Sequence, residues 1–138
     1  MKKKNSVVHF EMPAKDKKRM SEFYSKVFGW ETKMLGEDHG GYVLATTTDT
    51  GSDGRPKKPG AINGGFYTPE KEMTNEHPSV VIGVNDLKEA MDNIKKSGGK
   101  IVGEPMPVPG YGTYVSFHDT EGNRVGMMEP TEEMKEKD

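Results

Sequence analysis

Two side chains near the start of the chain have the spacing needed for joint acid–base chemistry. His9 and Glu11 are two residues apart in a segment rich in β-branched and aromatic residues, so a strand would place both on one face. Histidine titrates near neutral pH, and burial can raise the pKa of a carboxyl group towards the same range. The pair is therefore the best candidate for catalytic residues, although an ordinary hydrogen bond or salt bridge is the simpler explanation of Glu11.

The composition excludes several classes of function. The chain has 138 residues and no cysteine, which suits one domain with a hydrophobic core and excludes disulfides, thiolate metal sites and cysteine nucleophiles. A net charge of -2 gives no reason to expect a nucleic-acid partner. No run approaches the roughly 18 apolar residues of a membrane span, and the N-terminal lysines lead into a strand-like segment, not a signal peptide. We therefore expect a cytoplasmic protein that binds neither nucleic acid nor membranes.

Two helices are predicted from apolar residues at helical spacing, and both have recognisable ends. Asp16 precedes the first stripe and Asp86 the second, and aspartate is a good N-cap residue. Gly29 and the pair Gly98–Gly99 are expected to end the helices. The apolar stripes are Met20, Phe23, Tyr24, Val27 and Phe28 in the first helix, and Leu87, Ala90, Met91 and Ile94 in the second.

Each helix is expected to follow one strand and to precede three more. The predicted strands are residues 6–12, 30–35, 41–46 and 61–67 in the first half, and 79–84, 100–104, 111–118 and 124–129 in the second. Residues 47–60 are rich in Gly, Pro, Thr and Asp and are expected to form a mobile loop. Residues 107–112 are expected to form a second loop that could cover a pocket.

The two halves repeat one another. Asp16 and Asp86 are 70 residues apart, and so are Gly29 and Gly99. A shared offset at both ends of the helix indicates an internal duplication. We predict a single domain, residues 1–138, with module one at residues 6–67, a linker at 68–76, module two at 77–130 and a charged tail at 131–138.

Motifs near both ends of the chain carry a resemblance to a known family. Residues 9–12 read His-Phe-Glu-Met, residues 23–30 read Phe-Tyr-Ser-Lys-Val-Phe-Gly-Trp, and residues 119–123 read Asp-Thr-Glu-Gly-Asn, with Thr120 in place of the family's usual proline. Over residues 6–130 the chain resembles the vicinal-oxygen-chelate superfamily of glyoxalases, extradiol dioxygenases and bleomycin-resistance proteins, in particular its small uncharacterised glyoxalase-like members. The resemblance implies an α+β fold in which two tandem βαβββ modules form a curved, cavity-enclosing mixed sheet, and it implies a homodimer.

The resemblance also implies a divalent metal, held by one side chain from the first strand and one from the last strand of each module. His9 falls at the first of these positions, and imidazole suits Zn, Ni, Fe or Mn. The counterpart in module two is Ser79, a poor ligand, and His77 is only a weak replacement. The last-strand positions align with Asn63, where the family usually has a carboxylate, and with Gly126. Because catalytic metal sites generally need about three protein ligands, we predict no metal site and no cofactor.

Further residues that bind a ligand are expected in module two. Tyr114 and Ser116 alternate along a predicted strand and would line the cavity. Met127 and Met128 point to opposite faces, and parity with Gly126 assigns Met128 to the cavity, where methionine would make the wall apolar and adaptable. The predicted ligand-binding residues are His9, Glu11, Asn63, Ser79, Tyr114 and Met128.

Two functions from different classes fit these residues. The missing metal ligands favour a glyoxalase/bleomycin-resistance-like protein that binds a small molecule in the cavity without the usual catalytic metal. The alternative is a metal-dependent enzyme, similar to lactoylglutathione lyases or dioxygenases, with an irregular metal site around His9. The sequence does not identify the ligand or the reaction, so whether the chain is an enzyme stays open.

Overall fold

The computed structural model describes residues 4–70 and 76–132. Residues 71–75 of the predicted linker and residues 133–138 of the predicted tail lie outside the described residues. The elements are β1 Val7–Pro13, α1 Lys17–Phe28, β2 Glu31–Met34, a 3-10 turn Glu37–His39, β3 Val43–Thr46, β4 Asn63–Tyr67, β5 Ser79–Gly83, α2 Leu87–Lys96, β6 Lys100–Val108, β7 Gly112–His118 and β8 Arg124–Pro130. The order is βαβββ twice, which confirms the predicted α+β class.

The chain forms two compact units that repeat one arrangement. One, here the module-one unit, is His9–Pro78, and the other, the module-two unit, contains the residues up to Val8 and those from Ser79 onward. The strand order is β2-β3-β4-β1 in the module-one unit and β5-β8-β7-β6 in the module-two unit. The β1–β4 and β5–β8 pairs are parallel and the remaining pairs antiparallel, so each unit has a mixed sheet.

Helix α1 has the predicted caps but buries less of its apolar stripe than its spacing suggests. The Asp16 side chain accepts a hydrogen bond from the Arg19 N–H, and Gly29 ends the helix in the left-handed conformation with φ 73°. Met20 and Tyr24 pack against the core of the unit. The remaining stripe residues, Phe23, Val27 and Phe28, are 54%, 53% and 62% exposed. The core of this unit consists of Ala14, Val43, Ala45 and Phe66, with Phe10, Met12, Met20, Tyr24 and Trp30 packed around them.

Helix α2 begins as predicted and ends earlier than predicted. The Asp86 carboxylate accepts a hydrogen bond from the Glu89 N–H at 3.0 Å. The C-cap is Ser97, and the left-handed residue after it is Gly98 with φ 95°, so the predicted equivalence of Gly29 and Gly99 was wrong. Gly99 is small for a different reason, since a Cβ there would lie only 2.9 Å from the carbonyl oxygen of His118.

Two segments that were predicted to be loops contain regular structure. Within residues 47–60, Thr50 and Pro56 form an antiparallel bridge, so this segment folds back on itself through hydrogen bonds. Strand β6 continues to Val108 after a bulge between Val102 and Met106, so the predicted loop at residues 107–112 reduces to a tight turn. Strand β6 is last in the order of its unit, and a strand at an edge tolerates prolines that a central strand would not.

In the described part of the chain, neither helix has the length and the apolar character required to cross a bilayer.

Candidate active site

The strand register decides which side chains of the module-one unit share a face. His9 and Glu11 of β1 pair with Asn63 and Gly65 of the parallel strand β4, so these four positions lie on one face of the sheet. The alternate residues of both strands point the other way, into the core that packs against α1. Three predicted site residues, His9, Glu11 and Asn63, therefore lie together on the face turned away from α1. We call this surface the His9 face.

Tyr42 completes the His9 face, and the sequence analysis missed it as a site residue. Its hydroxyl oxygen lies 2.9 Å from His9 Nε2. Its ring covers Gly65, where an added Cβ would overlap the ring. Tyr42 precedes β3 by one residue, and the next residue on its side of the strand, Leu44, pairs with Gly65. The glycine pair Gly64–Gly65 inside a strand was the available signal, because such glycines often mark the close approach of another group.

His9 is neutral at pH 7. Burial lowers the pKa of its imidazole from 6.5 to about 4. A neutral ring has one N–H donor and one acceptor nitrogen, and the Tyr42 hydroxyl is the hydrogen-bond partner of Nε2. The His9–Tyr42 pair is thus an uncharged hydrogen-bonding group on the sheet face, suited to contact an oxygen atom of a small molecule.

Asn63 holds the loop at residues 47–60 against β4. Its Oδ1 accepts a hydrogen bond from the Thr47 N–H at 2.8 Å, and its Nδ2 donates to Thr50 Oγ1 at 2.9 Å. Thr47 Oγ1 also donates to the Ile62 carbonyl oxygen at 2.6 Å. The amide of Asn63 is therefore engaged by the loop, directly beside His9 in the register.

The module-two unit places its predicted residues on the corresponding face. Tyr114 and Met128 are cross-strand partners, while Met127 is 2% exposed and lies in the core with α2. The Tyr114 ring covers Gly126, where an added Cβ would lie 2.7 Å from Tyr114 Cε2. Ser79 begins β5 two residues before the partner of Gly126 and shares this face. His77 precedes β5 and lies outside any strand.

The registers also correct one predicted equivalence. Gly65 pairs with Glu11, and Gly126 pairs with Val81, which is 70 residues beyond Glu11. Gly126 is therefore the counterpart of Gly65, and its predicted equivalence with Asn63 was wrong by two residues. A shift of two residues leaves every side chain on its own face, which is why the alternation of residue types did not reveal the error.

It follows that a tyrosine covers the equivalent glycine in both units. Tyr42 covers Gly65 and Tyr114 covers Gly126. The residue equivalent to His9 in module two is Ser79, at the offset of 70 residues that relates β1 to β5. The two units thus share the tyrosine and the glycine, and only module one adds an imidazole.

The residues present do not fit the metal site that the resemblance implies. His9 Nε2 is engaged by Tyr42, and the Asn63 amide is engaged by the loop. At the last-strand glycines of both units a tyrosine ring fills the space that a carboxylate side chain would need. Ser79 offers only a hydroxyl group, a poor ligand for the metals that imidazole binds. Across residues 4–70 and 76–132, no group of three His, Asp or Glu side chains could hold a metal ion.

Comparisons with known proteins agree with this architecture. The family model for the Glyoxalase/Bleomycin resistance protein/Dioxygenase superfamily matches residues 6–127. A glyoxylase-like domain-containing protein of Didymella fabae is 31% identical over 116 residues, which cover 82% of this chain and 84% of that protein. A probable lactoylglutathione lyase of Vibrio cholerae serotype O1 is 25% identical over 127 residues, 89% of each chain.

One solved structure extends the comparison to three dimensions. A methylmalonyl-CoA epimerase in complex with methylmalonyl-CoA and NH4+ superimposes with a TM-score of 0.67 and covers 93% of this chain and 96% of its own. Its sequence identity with this chain is 18%, so the likeness shows a shared fold.

Proposed function

Because the chain belongs to the glyoxalase/bleomycin resistance protein/dioxygenase superfamily, we propose that it binds a small oxygenated molecule on the His9 face, without a catalytic metal. The observation that carries the proposal is the uncharged His9–Tyr42 pair on the sheet face turned away from α1. A ligand-bound epimerase of the same fold, which holds methylmalonyl-CoA, supports small-molecule binding by this architecture.

The chemistry of the His9 face indicates what kind of molecule it would accept. The His9–Tyr42 pair can donate a hydrogen bond to an oxygen atom or accept one from a hydroxyl group. Glu11 lies on the same face and can accept a hydrogen bond from a donor group of the ligand. Leu44, which pairs with Gly65, adds an apolar contact. We therefore expect a ligand with a carbonyl or hydroxyl oxygen next to an apolar portion.

Screening of the purified protein with small aldehydes, ketones and alcohols by ligand-detected NMR tests the proposal. Loss of one hydrogen bond in binding lowers affinity by about tenfold, so His9→Ala should weaken each genuine hit by at least about that factor. His39→Ala is the matched control, because His39 lies in the 3-10 turn of the same unit, outside the sheet. Hits that bind wild type and His9→Ala equally would contradict the proposal.

A metal-dependent lyase or dioxygenase is the alternative function. It is favoured by the placement of His9 and Glu11 on one face and by the similarity to a probable lactoylglutathione lyase. Elemental analysis after equilibration with Zn, Ni, Mn and Fe(II) separates the two functions. We expect no stoichiometric metal, whereas about one metal per chain that is lost in His9→Ala would establish the alternative.

We also propose that the protein works as a homodimer in the cytoplasm, without a nucleic-acid or membrane partner. The homodimer follows from family resemblance, and the absence of cysteine is compatible with a reducing compartment. Light scattering coupled to size-exclusion chromatography should give twice the chain mass of 15.3 kDa. A mass equal to one chain at micromolar concentration would rule out a stable dimer.

A further inference from the structure

Tyr42 is bonded to His9, the residue that would bind a metal ion on the His9 face, and its ring fills the space over Gly65 that a carboxylate ligand would need. We infer that Tyr42 is a positioning residue: its hydroxyl holds the His9 imidazole in one tautomer and keeps Nε2 from metal ions, so that the site recognises the oxygen of an uncharged carbonyl or hydroxyl group. The inference rests on the proposed function and names the chemical group that the ligand would present.

The position of the Tyr42 hydroxyl is fixed by its surroundings. The Tyr42 carbonyl oxygen accepts a hydrogen bond from the Leu35 N–H at 2.8 Å, and the Tyr42 N–H donates to the His39 carbonyl oxygen at 3.2 Å. The ring lies directly on the backbone of Gly65, with no room for a side chain at that residue. Because these bonds hold the Tyr42 backbone and Gly65 supports its ring, the hydroxyl is preorganised to orient its partner.

The imidazole of His9 is held in the same way. His9 lies in β1 beside β4, and its ring centroid lies 6.3 Å from that of Tyr42, an end-to-end arrangement set by the hydrogen bond between them. With Nε2 bonded to the Tyr42 hydroxyl, Nδ1 is the ring atom that Tyr42 does not engage. If Tyr42 donates to Nε2, Nδ1 carries the proton and suits a carbonyl oxygen, and in the other tautomer Nδ1 accepts from a hydroxyl group.

The recurrence of the tyrosine in module two separates its packing role from its polar role. Tyr114 covers Gly126 as Tyr42 covers Gly65, so packing on the glycine is common to both units. Ser79 stands where module one has His9, so Tyr114 has no imidazole at the position that corresponds to His9. Removing that hydroxyl should therefore disturb His9 and leave the packing intact.

Nitrogen NMR of the full-length protein labelled with 15N-histidine tests the positioning role. The chain has four histidines, and His9→Ala identifies the signals of His9. Tyr42→Phe keeps the ring on Gly65 and removes only the hydroxyl, while Tyr67→Phe is the matched control because it removes a hydroxyl that is bonded to Glu76 at 2.9 Å in the same unit. Wild type and Tyr67→Phe should show two well-separated ring shifts for His9, the pattern of one tautomer. In Tyr42→Phe the two shifts should converge as the tautomers exchange, and unchanged shifts would overturn the inference.

A titration with Zn2+ alone tests the second part of the inference. Freeing Nε2 from a competing hydrogen bond should raise the affinity of His9 for Zn2+ by about tenfold in Tyr42→Phe. The gain should disappear in the double variant Tyr42→Phe/His9→Ala. Equal Zn2+ affinity of wild type and Tyr42→Phe would show that Tyr42 does not keep Zn2+ from the His9 imidazole. A gain in Zn2+ affinity that persists in the double variant would show the same.

Neither the NMR experiment nor the Zn2+ titration uses the small-molecule ligand. Failure of the positioning role can therefore be distinguished from failure of the proposed binding function. If the screen yields ligands that depend on His9 while Tyr42→Phe leaves the His9 shifts unchanged, the positioning role is wrong and the binding function stands. If the His9 tautomers exchange in Tyr42→Phe but no oxygenated molecule binds to the wild type, the binding function is wrong and the positioning role of Tyr42 stands.

Discussion

A phenol hydroxyl bonded to a partly buried imidazole changes what that imidazole can do. The family resemblance predicts His9 as a first-strand metal ligand, yet its Nε2 is bonded to Tyr42 and its ring is uncharged at neutral pH. An uncharged donor–acceptor pair discriminates between ligands through direction and through the penalty for leaving a buried polar atom without a partner. At the residue scale, the selectivity of the site should therefore depend on Tyr42 as much as on His9.

The contact between Tyr42 and Gly65 predicts a strong coupling between these residues. Gly65→Ala should lower the free energy of unfolding by about 1–3 kcal/mol, the range typical of overpacking, because the new methyl group would overlap the Tyr42 ring. In a Tyr42→Ala background the same change should cost little, which gives a coupling energy of about 1 kcal/mol or more. Urea denaturation of the four proteins of this cycle measures it.

Tyr114 provides the control for that cycle. Tyr114→Ala should rescue Gly126→Ala, whose added Cβ would meet the Tyr114 ring at 2.7 Å, and should not rescue Gly65→Ala. Additive effects of Tyr42→Ala and Gly65→Ala would contradict the close contact.

At the scale of elements, the loop at residues 47–60 depends on one side chain of β4. Asn63 bonds Thr47 and Thr50 at the start of that loop, and the bridge between Thr50 and Pro56 closes the segment on itself. Because Asn63 is also the register partner of His9, the loop and the site share one anchor. A substitution of Asn63 should therefore affect both the loop at residues 47–60 and the His9 face.

Asn63→Leu tests the anchor, because leucine is similar in size but cannot form hydrogen bonds. The Thr47 N–H should then exchange with solvent faster, and the free energy of unfolding should fall by about 1–3 kcal/mol, the cost of leaving polar groups without partners. Hydrogen exchange followed by NMR gives the first effect and urea denaturation the second. Asn123→Leu, a change in the turn between β7 and β8, should leave the Thr47 amide unchanged. Slow exchange of Thr47 in Asn63→Leu would mean that the loop is held by other contacts.

The elements also show how far the sequence could predict this structure. Both helix starts were correct because an aspartate N-cap is a local signal, read from Asp16 and Asp86 alone. The placement of His9 and Glu11 on one face follows from strand alternation and was correct as well. The continuation of β6 to Val108 was missed because its prolines suggest a loop, and only the position at the sheet edge makes them acceptable.

The site was predicted only where neighbours in sequence define it. Tyr42 is 33 residues from His9, and their contact depends on the register between β1, β4 and β3, which pairing across the sheet determines. The hydrogen bonds of Asn63 reach a loop 13 and 16 residues earlier in the chain. Long-range contacts of this kind leave no periodic pattern in a sequence, so the polar partners of the site residues could not be predicted.

At the scale of the whole molecule, His9 makes stability depend on pH. Its pKa is 6.5 in the reference state and about 4 in the folded protein, because burial disfavours the charged ring. The unfolded chain therefore binds more protons between these two values, and the free energy of unfolding falls as pH decreases through that window. The slope for one such group is at most about 1.4 kcal/mol per pH unit, and the whole effect is on the order of 3 kcal/mol.

Thermal or urea denaturation between pH 7 and pH 4 measures this dependence. His9→Gln should flatten the profile over the window. Asp119, whose pKa is lowered from 3.8 chiefly by a hydrogen bond from the Asn123 side chain, loses its contribution only at more acid pH, so the two effects separate. A wild-type profile that is flat from pH 6.5 to pH 4.5 would contradict a buried neutral His9.

The tyrosine that covers a glycine in each unit also constrains how this chain could change over generations. A carboxylate at position 65 has no space while Tyr42 is present, and loss of Tyr42 alone would leave a void over a bare glycine. Each of these two steps alone is therefore unfavourable, and only the pair together opens the position. Because of this reciprocal epistasis, a carboxylate at position 65 can be reached only through a less stable intermediate.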